Sequence, residues 1–133
     1  MSGPDDIPDT AAEQLFERPL SDRMIHRVTY IRLKNDIGDS AAEIAAHSLT
    51  VLGALPGVVA IDIGIPADEH ARAAWDLSLT VRFARLEDVD LYTHHPEHRR
   101  YMDEYLVPRT HVLKAWSFWV SAAPIAAQGS SSK

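Results

Sequence analysis

Hydrophobic and polar residues alternate without a break from Trp75 to Phe83. Trp75, Leu77, Leu79, Val81 and Phe83 interleave with Asp76, Ser78, Thr80 and Arg82. A period of two predicts a strand with one buried face and one polar face. Three further runs, rich in β-branched or aromatic residues, predict strands at Ile25–Leu33, Val58–Ile65 and His111–Val120. The last of these puts Trp116 and Phe118 on one face and Trp119 on the other, so both faces of the sheet need cover.

Helical spacing fills the gaps between the strands. Ala41, Ile44, Ala45, Ser48, Leu49, Leu52 and Leu55 form one stripe; Ser40 and Glu43 have capping-box spacing at its start, and Pro56-Gly57 stops it. The segment Pro66–His70 reads as a loop, and Leu86–Tyr92 as a short helix. Pro96 pushes His95 out of helical geometry and is itself suited to open a helix. In that helix His98, Tyr101, Met102, Tyr105 and Leu106 share a face, and Pro108 closes it.

The resulting order, β-α-β-β-α-β, predicts an α+β domain of the ferredoxin-like type with a four-stranded antiparallel sheet. Two helices cover one face only. The aromatic second face is expected to meet the same face of another copy, giving a C2 homodimer.

Length and composition narrow the choices. The 133 residues suit one domain, expected at 23–121. Residues 1–22, with a short apolar piece from Ala11 to Phe16, read as a flexible extension, and 122–133 as a flexible tail. With no cysteine, disulfides and thiolate chemistry drop out. A formal charge of −6 without a basic stripe disfavours nucleic acid. No membrane-spanning run and no signal-peptide pattern is present, so a cytoplasmic location is the default expectation.

The chemistry concentrates in Tyr92-Thr93-His94-His95-Pro96-Glu97-His98. His98 falls on the inward face, where an imidazole next to a phenol can work as a general acid or base at neutral pH. A buried histidine whose nitrogens are simply satisfied by hydrogen bonds explains the same spacing. A metal site has less support: Pro96 interrupts the His94–His98 turn, and no HExxH pattern or cysteine cluster accompanies it. No cofactor and no metal are therefore expected. GxSxG, GxGxxG and P-loop patterns are absent from the sequence.

Several stretches together resemble the stress-responsive A/B barrel (Dabb) family. They are Met24–Lys34, Leu55-Pro56-Gly57-Val58, Phe83 and, most specifically, Tyr92-x-x-His95-Pro96-x-His98. The resemblance covers about residues 24–120 and implies a dimeric α+β barrel made of two ferredoxin-like protomers. Family members include proteins linked to stress responses, a plant polyketide cyclase and a fern hydroxynitrile lyase. In the cyclase a histidine and a tyrosine form an acid–base pair, and these match His98 and Tyr92. The cyclase's third-strand histidine and first-helix tyrosine fall on Leu77 and Ser48, which argues against the same substrate chemistry. The family's first-strand histidine falls at Arg27, or at His26 with a one-residue slip.

Two expectations result. One is a cofactor-free lyase or cyclase in which His98 and Tyr92 act on a small carbonyl or polyketide-like substrate. Tyr30, Trp75, His95 and Tyr101 would line its binding pocket. The alternative is a non-catalytic homodimeric module that binds a small apolar or aromatic molecule or serves a stress response.

Overall fold

The computed structural model describes residues 23–121 and the isolated positions Glu17 and Pro19. The expectations for residues 1–22 and 122–133 fall, apart from those two positions, outside the described residues.

Four strands, β1 (Met24–Leu33), β2 (Val58–Gly64), β3 (Leu77–Phe83) and β4 (Thr110–Val120), form one antiparallel sheet in the order β2-β3-β1-β4. β1 lies in the middle. It pairs Ile25, Arg27, Thr29 and Ile31 with Phe83, Val81, Leu79 and Leu77 on one side. On the other side the same residues pair with Trp119, Ser117, Ala115 and Leu113. Directly opposed residues share a face, so this set forms the inner surface. Ile25, Ile31, Leu77, Val81 and Phe83 are each almost completely buried there.

Helix α1 (Ala41–Gly53) carries the predicted capping box: Ser40 Oγ accepts from the Glu43 amide, and the Glu43 carboxylate accepts from the Ser40 amide. Ile44, Ser48 and Leu52 point at the sheet. Leu49, assigned above to the same stripe, is half exposed and marks the edge of that face. The helix ends at Gly53, two residues before the Leu55 that closed the predicted stripe, although Leu55 still joins the core.

Four local details differ from expectation. The segment read as a loop contains a helical turn, α2 (Glu69–Arg72), because Asp68 caps it through the Ala71 amide. The Trp75 amide then bonds the Ala71 carbonyl, which delays the third strand to Leu77. The helix opened by Pro96 is not uniform. After α3 (Leu86–His94), α4 (Pro96–Arg100) gives way to a π-helical turn over Tyr101–Leu106, in which the Val107 amide reaches back to the Met102 carbonyl. Pro108 sits inside a last turn, α5 (Val107–Arg109), and does not end the helix before it.

Gly57 is the one described residue with positive φ, at 87°, in the turn from α1 into β2. A Cβ there would lie 2.9 Å from Asp88 Cβ. Both backbone and space favour glycine. Gly57→Ala is expected to lower stability by about 1–3 kcal/mol, read as a lower denaturant midpoint with an unchanged slope.

Candidate functional site between the sheet and the broken helix

His95 adopts an extended conformation (φ −63°, ψ 136°), as a residue before proline should. Its Nδ1 accepts from the Glu97 amide and caps α4. This break turns the chain so that His98, one turn into α4, faces the inner surface of the sheet. His98 is 9% exposed, and its ring centroid lies 4.5 Å from that of Tyr92 on α3. Tyr92 in turn meets Phe83 edge-on at 5.0 Å. The π-helical turn then brings both Tyr101 and Leu106 inward. Five residues apart on an α-helix, they would point about 140° away from each other.

These groups border a cavity of about 40 Å³ lined by Arg27, Thr29, Leu79, Tyr92, His98, Tyr101 and further apolar side chains. That is room for about three water molecules. Larger hollows exist elsewhere but are shallow and open to solvent. They include one beside His94 and His95 and another between His47 and Tyr105. The small cavity is where buried titratable groups converge, which makes it the better candidate site.

Its electrostatics favour neutral side chains. Burial, and then the Arg27 guanidinium, lower the His98 pKa from 6.5 to about 4, while a hydrogen bond to the Thr93 backbone acts the other way. His98 Nδ1 is buried with no hydrogen-bond partner of normal geometry among the described residues. Burial pushes the Tyr92 phenol well above its usual range and raises Tyr101 to about 12. Tyr101 has a second duty. The Ser48 hydroxyl donates its proton to the Ile44 carbonyl, so the short Tyr101–Ser48 contact has the phenol as donor.

The sequence-derived site residues therefore separate. His98, Tyr92 and Tyr101 come together. His95 is a helix cap on the rim of the outer hollow. Tyr30 and Trp75 meet at 5.6 Å, their rings tilted by 36°, on the opposite face of the sheet near Trp116, and border a different hollow of about 160 Å³. Neither lines the His98 cavity, because Tyr30 alternates with Thr29 and Ile31, and Trp75 lies outside β3. The open question of register resolves in favour of Arg27. It faces the cavity, whereas His26 pairs with Arg82 and Phe118 on the far face. Arg27 was one of two alternatives for a pocket position on β1, and Thr29 was not among the predicted site residues. No cluster of three or more potential metal ligands occurs among the described residues. Among these residues no helix is long and apolar enough to cross a membrane.

Sheet order and helix placement define a ferredoxin-like α+β domain, with the crevice between the sheet and the α3–α4 segment. The chain belongs to the stress responsive A/B barrel domain family, whose model matches residues 25–113. Among solved structures it is similar to a Dabb-family protein with a ferredoxin-like fold from Mesorhizobium loti, at 16% identity and a TM-score of 0.62; the match covers 78% of this chain and 99% of that one. A dimeric ferredoxin-like protein of unknown function from Thermobifida fusca matches at 18% identity and a TM-score of 0.61, over 74% and 92% of the two chains. Hydroxynitrile lyase from Passiflora edulis matches at 10% identity and a TM-score of 0.66, over 78% and 99%. At these identities the likeness is one of fold. No curated protein matches the sequence.

The depressed His98 pKa has a consequence for stability. An unfolded histidine takes up its proton near pH 6.5, the native ring only near 4. This group's contribution is therefore complete above about pH 6.5 and is lost as pH falls toward 4. Urea unfolding at pH 7 and pH 4.5 should show wild type losing roughly 2 kcal/mol more than His98→Gln across that interval.

Proposed function

We propose that the protein is a homodimeric, cofactor-independent lyase or cyclase in which His98 and Tyr92 carry out acid–base chemistry on a small carbonyl compound. The observation that carries this reading is a neutral, buried imidazole, its Nδ1 without a hydrogen-bond partner of normal geometry, in ring contact with a protonated phenol at the edge of a void. His98 would accept a proton from the carbon next to the carbonyl. The electron pair left behind moves toward the carbonyl oxygen, where the Tyr92 hydroxyl donates a hydrogen bond to the developing negative charge. If the enolate carbon then attacks a second carbonyl carbon, that carbonyl's π bond breaks and the imidazolium gives its proton to the new alkoxide; otherwise the proton returns to carbon, and either way the imidazole is neutral again. The Passiflora edulis hydroxynitrile lyase, a protein of the same fold, lends support at the level of reaction class. The cavity's 40 Å³ suits a formyl, nitrile or carboxyl group and excludes the body of a polyketide from its interior.

The same small volume supports a second reading, a non-catalytic dimeric module with a nearly filled core. The two diverge on proton exchange in D₂O, followed by NMR over a panel of small aldehydes, ketones and keto acids. Under the enzymatic reading wild type speeds exchange at the carbon next to the carbonyl, and His98→Gln loses about 10²–10⁴-fold of that rate at pH 7 while staying folded. Equal rates for the two proteins, or none above background for wild type, would leave the module.

Dimerisation is supported by the open sheet face, on which Tyr30, Trp116 and Phe118 are 36%, 49% and 54% exposed. Uncovered, such a patch invites association. Neighbours from Thermobifida fusca and Bacteroides fragilis are described as dimeric. Light scattering is expected to give about twice the 14.8 kDa chain mass. The double variant Trp116→Glu, Phe118→Glu is expected to run as a monomer, and a monomeric wild type at micromolar concentration would refute the pairing.

A further inference from the structure

We propose that the His98 crevice takes an anionic substrate, a small carboxylic acid whose charged end pairs with the guanidinium of Arg27. Five other arginines each face a carboxylate: Arg32 meets Asp76, Arg82 Asp62, Arg85 Asp88, Arg100 Glu97 and Arg109 Asp39. Among the described residues Arg27 faces none, and unlike the exposed Arg72 and Arg99, which also lack such a pair, it is half-buried. Among the described residues its one hydrogen-bond partner is the neutral Ser117 Oγ at 3.2 Å. It is half-buried, points from the middle strand toward the helix layer, and borders a cavity with no acidic side chain in its lining. A cation held partly out of water without a counter-charge is costly unless a ligand supplies one. A guanidinium fork is shaped for a carboxylate. The Arg27 partner Ser117 is exposed on the edge strand β4.

Such a ligand would also change the base. The charged groups acting on the His98 ring are Arg27 from β1, Arg99 from its own helix and Asp103 from the π-helical turn; Tyr92 from α3 touches it uncharged. Arg27 is the strongest of the charges and disfavours the imidazolium. A bound carboxylate offsets that charge, so His98 becomes more basic with the ligand in place. At a pKa of about 4 the empty-site imidazole is neutral but a weak proton acceptor. Substrate charge and base strength are thus coupled through one side chain. The catalytic part of this inference rests on the acid–base reading above; the anion site does not.

The test uses the full-length protein titrated with sodium acetate and, separately, with acetamide at constant ionic strength, following the His98 ring signals by NMR. Acetate is expected to saturate and to move the His98 titration upward, while acetamide does neither. Arg27→Gln should weaken acetate about tenfold or more, and Arg27→Lys, which keeps the charge but loses the fork, should weaken it less than Arg27→Gln does. Equal response to acetate and acetamide, or undiminished acetate binding by Arg27→Gln, would overturn the proposal. Acetate is also expected to perturb the Tyr92 ring signals of His98→Gln, since the anion site does not need the base. Saturable, Arg27-dependent binding alongside failed proton exchange would uphold the anion site and discard the enzymatic reading alone.

Discussion

An imidazole can be sealed under a helix only by giving up its charge, and this constraint shapes the site. His98 is close to fully buried, so desolvation alone holds it neutral, and Arg27 adds to the effect. The two phenols nearby respond in the matching way and stay protonated. The result is a pocket whose only formal charge comes from the sheet. Burial depends in turn on the break at His95-Pro96. Without the extended residue before the proline, α3 would run straight on and the imidazole would turn away from the sheet.

Most of the fold was legible because its signals are local and agree with one another. The alternation over Leu77–Phe83, the capping box at Ser40 and Glu43, and the proline that opens α4 each rest on a short-range preference that the tertiary structure keeps. The inward position of His98 was legible for the same reason, since helical periodicity alone assigns it to the Tyr101–Leu106 face. The remainder of the pocket depended on register and on chain path. In β1 both faces mix apolar and polar residues, so the pattern does not decide between His26 and Arg27; the pairing with β3 and β4 does. Trp75 continues the alternation of β3 in sequence, yet the hydrogen bond that closes α2 takes its backbone out of the strand, and its ring turns to Tyr30 on the other face. The π-helical turn had no sequence signal at all. An inward Tyr101 and an inward Leu106 sit at the two margins of one ordinary helical stripe, so the pattern gives no hint of the wider turn, which is defined by the Val107 amide reaching Met102.

β1 holds a particular position in this arrangement. Its even-numbered residues from Met24 to Tyr30 belong to the face with exposed aromatics, and its odd-numbered residues belong to the core and the crevice. Arg27 sits between His26 and Val28, so the group that sets the charge of the crevice and the groups that form the outer surface are adjacent along one strand. Substitutions on β1 act on both surfaces through a shared backbone, and a slip of one residue would exchange them wholesale.

The wide turn at Tyr101–Leu106 also bears on how the chain tolerates changes in length. A π-helical turn stores one residue more than an α-helix of the same span, so it behaves as slack wound into the helix. Removing a single residue there would let the helix tighten to ordinary pitch without pulling on β4. Because the extra residue is absorbed inside that turn, the helix before it keeps its direction and the imidazole its place over the sheet. The architecture would shorten at this point and survive, and only the wall of the pocket formed by Tyr101 and Leu106 would be rearranged.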